Sequence, residues 1–300
     1  MTSLSLTPYT PPPYAEMIAH RRMPEGVSEA GYQAGVKRLL AVEGVRRWDM
    51  TYDVDGLRVT GACVEPEWRA GERGPLVIYN RGGSGEYGAL SPAQLSIYMV
   101  PYAERLRAGV LASNYRGNFG SEGAEEFGGA DVNDVLALVA LGKQQPWWDG
   151  KNIFMLGWSR GGMMTYLAMK HGLVLQAAAV GAGLSDLTSI AAQHADMHAL
   201  YARRVPGYPE HRAVALEARS AICWPEKLAA PLLLLHGDAD PRIDVADARA
   251  LYAALADLGH EVRYREYPGG DHYLMRERQS VQDEVVAWFS AHRLAENRHS

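Results

Sequence analysis

Three separated stretches of the chain carry residue types that together could cleave an acyl bond. The first, "GWSRG", places Gly157, Ser159 and Gly161 in the spacing G-x-S-x-G, between the apolar run "NIFML" and a helix-like stretch. In that context the motif holds a serine on a sharp strand-to-helix turn, with its hydroxyl exposed and a helix N-terminus beside it that favours developing negative charge. We interpret Ser159 as a nucleophile.

A serine hydroxyl is a weak nucleophile that needs a base, and the base needs an orienting carboxylate. Along the chain, a turn of this kind is followed first by the acid and then by the histidine. The loop after "PLLLLHG" contains Asp238, Asp240 and Asp244, and the loop after "EVRYREY" contains His272. We expect His272 to be the base and Asp240 the acid, with the other two aspartates serving as turn and helix-capping carboxylates.

A glycine-rich loop follows the apolar run "PLVIY", and its residues Gly83, Gly85 and Gly88 have the G-x-G-x-x-G spacing of a dinucleotide site. In such a site the next strand ends in an acidic residue that binds the ribose. Here the next strand ends in "NYRG" instead. Arg116 could bind a 2′-phosphate, but the context disfavours a dinucleotide.

Acyl transfer gives this loop a different role. The reaction produces a negatively charged oxygen, which backbone N–H groups must already face. One donor comes from the residue after the nucleophile, here Arg160, and the other comes from a loop in this position of the fold. We choose Gly83 as the second donor, because glycines let the backbone approach the substrate without a side chain in the way.

The composition limits the partners and cofactors of the protein. A formal net charge of −5, with both signs spread over 300 residues, disfavours nucleic-acid binding, which needs a concentrated basic face. The two cysteines, Cys63 and Cys223, form no C-x-x-C motif, and "HADMH" lacks the glutamate of H-E-x-x-H, so we expect no metal site. No other motif indicates a cofactor, and we predict none.

The start of the chain does not resemble a targeting signal. "MTSLSLTPYTPPPYAEM" has neither a basic n-region nor an apolar h-region, and the apolar runs elsewhere are too short to span a bilayer. We therefore predict a cytoplasmic protein that does not associate with membranes and that acts on a small molecule or a short peptide.

The pattern of the remaining chain predicts an α/β fold. "RRWDMTYDV" and "LRVTGACVEP", joined by "DG", are typical of a β-hairpin. Six apolar strand-like runs then alternate with helix-like stretches at 92–107, 130–145, 161–171, 246–258 and 281–293, which indicates a parallel sheet covered on both faces. The hairpin would form an antiparallel edge, and a helical, polar stretch at about 185–227 would form a small cap.

Two regions of the chain are expected. Residues 1–46 would form an N-terminal arm, disordered or draped over the surface, with a weak helical pattern at 17–45. Residues 47–300 would form the catalytic domain, with the cap inserted at about 185–227, where open α/β sheets place their sites.

Several of these motifs together resemble the prolyl oligopeptidase family of serine peptidases, within the α/β-hydrolase superfamily. The matching stretches are "NRGGSG", "NYRGNFGSEG", "GWSRGGMMTY", "RSAICWPEKLAAPLLLLHGDADPRI" and "GGDHYL". The resemblance implies an α/β-hydrolase fold and assigns the nucleophile, acid, base and oxyanion donors to Ser159, Asp240, His272, Gly83 and Arg160. It also suggests Arg242 as a contact to a substrate carbonyl, and Trp158 is a further candidate contact.

The chain also departs from the family pattern. The larger members carry a β-propeller before the catalytic domain, for which this chain has no room. Arg81 stands where members often have histidine, and Arg160 where tyrosine is common. From the motifs and the resemblance together, we predict a serine hydrolase that forms an acyl-enzyme, foremost a peptidase acting on small peptides or amides. The alternatives are a carboxylesterase and, from another class, a non-catalytic binding protein with the same fold.

Overall fold

A nine-stranded sheet runs through the computed structural model, which describes residues 3–19 and 26–295. The strands are β1 (Leu4–Pro8), β2 (Val45–Val54), β3 (Leu57–Pro66), β4 (Gly74–Asn80), β5 (Gly109–Ser113), β6 (Trp148–Trp158), β7 (Ala177–Gly181), β8 (Leu232–Gly237) and β9 (Val262–Tyr267). Their spatial order is β1-β2-β3-β5-β4-β6-β7-β8-β9.

The sheet is mostly parallel, with an antiparallel edge, as predicted. The strands from β5 to β9 in the spatial order run parallel, whereas β1, β2 and β3 pair antiparallel with their neighbours and β3 pairs antiparallel with β5. Strands β4, β7 and β8 are buried along their whole length, because helices cover both faces of the sheet.

The predicted hairpin is confirmed. Val54 pairs with Leu57, so Asp55 and Gly56 alone connect β2 and β3. Both turn residues have positive φ angles, 52° and 76°, which match the right-handed twist of the flanking strands.

The described helices include several that pack on each face of the sheet. They are α1 (Tyr14–Ala19), α2 (Glu29–Leu40), α3 (Pro92–Tyr98), α4 (Val100–Leu106), α5 (Val132–Gly142), α6 (Arg160–Lys170), α7 (Leu187–Gln193), α8 (Ala195–Arg204), α9 (Arg212–Glu217), α10 (Val245–Asp257) and α11 (Arg278–Ala291). One core packs α5, α6 and α10 against the sheet, and a second core on the other face packs α3, α4 and α11. None of the helices in the described ranges is long and apolar enough to cross a bilayer.

One predicted helix is two in the structure. The stretch 92–107 forms α3 and α4, which meet at Met99. The break has a local cause, because Pro101 lacks the N–H that a continuous helix would donate to Ile97.

The N-terminal stretch differs from the expected arm. Residues Leu4–Pro8 form β1 and add an antiparallel strand to the free edge of β2, from Leu4 opposite Tyr52 to Pro8 opposite Trp48. The weak helical pattern at 17–45 contains the end of α1 and all of α2, and its residues 20–25 lie outside the described part. The division of the chain at residue 46 stays a prediction.

A helical segment follows β7 and lies over the carboxyl ends of the parallel strands. It contains α7, α8, α9 and two short 3-10 turns, at Ala221–Cys223 and Pro225–Lys227. Residues from α7 and α8 line the cavity described below, so this segment covers the site.

Candidate active site

Ser159 lies on a strained turn between β6 and α6. Its φ and ψ angles are 56° and −122°, outside the regions that side-chain-bearing residues ordinarily adopt. The turn leaves no space for side chains two residues away on either side. A Cβ on Gly157 would lie 2.2 Å from the Gly161 carbonyl oxygen, and one on Gly161 would lie 1.8 Å from that of Asn80. Glycine at both ends therefore permits the turn that presents the serine.

The side chains of His272 and Asp240 lie within hydrogen-bonding distance of each other. His272 Nδ1 lies 2.8 Å from Asp240 Oδ2. Because a carboxylate oxygen can only accept, Nδ1 carries the proton in the neutral ring and Nε2 keeps a free lone pair. His272 and Ser159 line the same cavity, and the Trp158 indole N–H donates to the His272 carbonyl oxygen at 2.9 Å. That bond joins the residue before the serine to the histidine loop.

Asp240 is held on all sides by hydrogen-bond donors. Its Oδ1 accepts from the backbone N–H groups of Arg242 and Ile243, at 2.8 and 3.1 Å. Burial alone would raise the pKa of Asp240, but hydrogen bonds from His236 and His272 lower it below its ordinary value. The carboxylate is therefore charged at neutral pH and can stabilise an imidazolium at His272.

Sequence analysis missed the contribution of His236, which ends β8. Its Nε2 lies 3.2 Å from Asp240 Oδ2 and 3.1 Å from the Ile243 carbonyl oxygen. Both neighbours are acceptors, so Nε2 carries a proton and donates to the same carboxylate oxygen that His272 contacts. The sequence held one signal for this contact, since His236 and Asp240 lie four residues apart around a turn.

The other two aspartates of this loop have structural contacts. Asp244 is the N-cap of α10 and accepts from the Ala246 backbone N–H at 2.9 Å, as predicted. Asp238 accepts from the Gly269 backbone N–H at 2.6 Å and so connects the loop to the one that carries His272.

The glycine loop lies against the nucleophile turn. A Cβ on Gly82 would lie 3.2 Å from Ser159 Cβ, and Gly83 lines the cavity with a φ of +78°. Arg160 is the first residue of α6, so its backbone N–H has no partner within the helix. The structure thus brings both predicted oxyanion donors to the rim of the cavity that contains Ser159.

A cavity of about 920 Å³ opens over these residues. One wall is apolar and comes largely from the helical segment after β7; it includes Phe127, Leu184, Ile190, Met197 and Leu200. Another part of the wall is aromatic and polar and includes Tyr79, Gln94, Tyr98 and Trp158. Tyr87 and Tyr273, whose hydroxyl groups contact each other, lie at the cavity surface.

The candidate substrate contacts have different surroundings. Trp158 lines the cavity but is buried, with its indole N–H already bonded. Arg242 lines the cavity with an exposed side chain. Three aromatic residues of the helical segment, Tyr201, Tyr208 and Trp224, pack into the core and are not part of the cavity wall.

The surroundings of Arg116 do not suit a dinucleotide phosphate. Arg116 is buried and bonded to Asp134 and Asp55, both at 2.7 Å. A guanidinium that is already paired with two carboxylates is not available to a phosphate.

The model of the prolyl oligopeptidase family matches residues 109–294, which is more than half of the chain. This chain belongs to the prolyl oligopeptidase family. It is a serine hydrolase with the α/β-hydrolase fold, and relatives that match it are named peptidases.

Individual relatives agree with this assignment. The chain is 28% identical over 246 residues to the uncharacterized peptidase YtmA of Bacillus subtilis, covering 81% of this chain and 93% of that protein. It is 26% identical to dipeptidyl-peptidase 5 of Porphyromonas gingivalis, over 81% of this chain and 37% of the relative.

Solved structures share the fold. The acylaminoacyl peptidase of Pyrococcus horikoshii superposes with a TM-score of 0.69 at 21% identity, over 90% of this chain and 45% of that one. A puromycin-hydrolyzing peptidase of Mycobacterium tuberculosis superposes with a TM-score of 0.64 at 26% identity, over 79% and 38%. The chain thus spans nearly all of YtmA, but less than half of the dipeptidyl peptidase and of both solved structures.

This member of the prolyl oligopeptidase family has a buried ion cluster behind its glycine loop, which sequence analysis did not predict. The Arg160 side chain is 1% exposed and pairs with Glu125 at 2.8 Å and with Asp131. Glu125 also accepts from the Ser84 hydroxyl at 2.7 Å and the Gly85 N–H at 2.8 Å. The cluster therefore ties the glycine loop to the helix that begins after the nucleophile.

Glu125 makes the stability of the protein sensitive to acid. Burial would raise the pKa of Glu125, but the Arg160 charge and hydrogen bonds from Gly85 and Ser84 lower it from 4.5 to about 2. A carboxyl group with a lowered pKa in the folded state stabilises the fold above its unfolded pKa, and that stability is lost as the pH falls toward the folded value.

We expect Glu125→Gln to reduce this acid sensitivity. Between pH 5 and pH 2, the variant should lose less of its free energy of unfolding than the wild-type protein, by up to about 3 kcal/mol. Urea unfolding at several pH values measures the difference. Parallel curves for the two proteins over this interval would show that Glu125 is not held in its charged form.

Proposed function

We propose that the chain is a serine peptidase whose catalytic residues are Ser159, His272 and Asp240. His272 Nε2 takes the proton of the Ser159 hydroxyl as the oxygen attacks a substrate carbonyl. The tetrahedral intermediate collapses when the histidine returns that proton to the leaving amine, which departs and leaves an acyl-enzyme. Water, deprotonated by the same nitrogen, then releases the acid and restores the serine.

The bond between His272 Nδ1 and Asp240 Oδ2, beside a cavity shared with Ser159, carries the proposal. It leaves the opposite ring nitrogen as the base and stabilises the imidazolium that forms. The backbone N–H groups of Gly83 and Arg160 are proposed to donate to the oxyanion, where each such donor contributes about 3 kcal/mol to transition-state stabilisation.

We propose short peptides or amides with a blocked amino terminus as substrates. Three ionised side chains with exposed surface line the cavity: Asp196, Arg203 and Arg242. Arg160 also lines it, but its charge is neutralised by its two buried carboxylate partners. Two of these three side chains are positively charged and one is negatively charged. A free α-amine is itself a cation and would be repelled by this net positive charge, whereas an acylated amine carries no charge and would not be repelled. The proposal is supported by a similar solved structure, an acylaminoacyl peptidase in complex with Z-Gly-Gly-Phe-chloromethyl ketone, a peptide compound with a blocked amino terminus.

A paired set of anilides tests this preference. We expect kcat/KM for an N-acetyl dipeptide p-nitroanilide to exceed that for the free-amine form by about tenfold, the size of one net charge interaction near a protein surface. Arg203→Met removes one of the positive charges and should bring the kcat/KM values of the two substrates closer together. Arg212→Met, outside the cavity wall, should leave the ratio of these values unchanged. A higher rate for the free amine would contradict the proposed role of these charges.

Two measurements separate the alternatives. Hydrolysis of p-nitrophenyl esters without any amide turnover would favour a carboxylesterase, since the same groups act on esters and p-nitrophenolate leaves more readily than an amine. Covalent labelling by a fluorophosphonate, lost in Ser159→Ala, is expected of an enzyme. A well-folded protein that resists the probe would contradict the proposed role of Ser159 as nucleophile. The cytoplasmic location stays a prediction.

A further inference from the structure

Arg81 is a buried arginine that is bonded to the backbone of the glycine loop. Its side chain is fully buried, directly after β4. Each hydrogen bond that its guanidinium makes within the described part of the chain ends on a main-chain carbonyl oxygen. The acceptors are Gly82 and Tyr87 at 3.1 Å, Gly85 at 3.2 Å and Asn114. Burying a guanidinium without an ion pair is unfavourable, so this placement indicates a specific use.

The bond to Gly82 has a direct consequence for the proposed oxyanion donor. The Gly82 carbonyl and the Gly83 N–H belong to one planar trans peptide unit, in which they point in opposite directions. By donating to the carbonyl oxygen, Arg81 Nη1 fixes the direction of the Gly83 N–H. A charged donor on the carbonyl also polarises the peptide and strengthens the N–H as a donor.

The next peptide units of the loop are held in the same way. Arg160 Nη1 donates to the Gly83 carbonyl oxygen at 3.0 Å, and Glu125 accepts from the Gly85 N–H at 2.8 Å. The Tyr115 ring contacts both guanidinium groups; its centroid lies 4.9 Å from that of Arg81 and 4.7 Å from that of Arg160. Tyr115 in turn donates its hydroxyl hydrogen to the Arg81 carbonyl oxygen at 3.1 Å.

We propose that Arg81 is a positioning residue for catalysis, which aims the Gly83 N–H at the oxyanion through the shared peptide unit. The proposal rests on the proposed serine-hydrolase function. The residue does not touch the substrate: it does not line the cavity, and its contacts lie behind the loop. Its loss should therefore weaken transition-state binding more than substrate binding.

Steady-state kinetics and binding of a peptide boronic acid test the proposal. A boronate bound to Ser159 is a tetrahedral anion that uses the oxyanion donors, whereas KM reports mainly ground-state binding. For Arg81→Met and Arg81→Lys we expect kcat to fall about 10- to 100-fold, with boronate affinity falling by a similar factor and KM nearly constant. Lysine keeps the charge but cannot reach several carbonyl oxygens at once.

Arg219→Met is the matched control. Arg219 is also a buried arginine that donates to main-chain carbonyl oxygens, those of Phe127, Ala215 and Glu126, none of which belongs to the glycine loop. The Arg219→Met variant should have a lower free energy of unfolding, as Arg81→Met should, while its kcat and boronate affinity stay near the wild-type values. The lysine variant keeps the test informative if Arg81→Met does not fold.

Two results would overturn the proposal: wild-type kcat and boronate affinity in the Arg81 variants, or the same losses in Arg219→Met. A third result is distinct from these. If the wild-type protein neither reacts with a fluorophosphonate nor binds the boronate, the proposed function itself is wrong.

Discussion

Ser159→Ala is expected to lower kcat by about a million-fold, because it removes the attacking oxygen. The variant keeps the cavity, the glycine loop and the His272–Asp240 pair, but lacks the oxygen that attacks the substrate. Because alanine is smaller than serine, substrate should still bind, and KM should change little. Stopped assays at high enzyme concentration, together with fluorophosphonate labelling, measure the loss.

Ser96→Ala provides the control for this substitution. The buried Ser96 hydroxyl has no hydrogen-bond partner within the described residues, so its removal should leave both kcat and labelling unchanged. If Ser159→Ala retained a substantial part of the wild-type rate, the attacking oxygen would have to come from another group.

Asp240→Asn is expected to lower kcat by about ten-thousand-fold. The carboxylate meets donors on both sides: His236 and His272 at Oδ2, and the backbone N–H groups of Arg242 and Ile243 at Oδ1. In either orientation, the asparagine NH₂ group would therefore face donors. The His272 ring can then accept at Nδ1 only by moving its proton to Nε2, which leaves no base toward the serine.

Because its new NH₂ group would face other donors, Asp240→Asn should also lower the free energy of unfolding, by about 1–3 kcal/mol for the polar groups left unsatisfied. Kinetics with a p-nitrophenyl ester and urea unfolding measure the two effects. Asp244→Asn is the matched control, because asparagine is as good an N-cap as aspartate and both effects should be small. Near-normal kcat in Asp240→Asn would assign the orienting carboxylate elsewhere.

The local patterns of the sequence were sufficient for most of the fold. The strands were predicted because short, uninterrupted apolar runs such as "PLLLL", alternating with helical stretches, are typical of a parallel sheet covered on both faces. The break at Met99 and the strand at Leu4–Pro8 were not predicted. The break depended on one proline within an otherwise helical pattern. The strand depended on partner residues forty or more positions away in the chain.

The sequence by itself determined the chemistry of the site and its candidate residues. The turn around Ser159 requires glycines at fixed positions, and the loops with Asp240 and His272 follow recognisable strands. Parallel strands bring such loops to one edge, so this juxtaposition can be inferred from the order of elements.

Only the tertiary structure decided how the site is supported. Arg160 pairs with Glu125 and Asp131, His236 shares the Asp240 carboxylate, and Arg81 binds the carbonyl oxygens of the glycine loop. A buried charge must be satisfied by whichever groups the fold places beside it, and those groups come from distant parts of the chain. No local spacing encodes them, because the contacts exist only after the strands and loops have packed together.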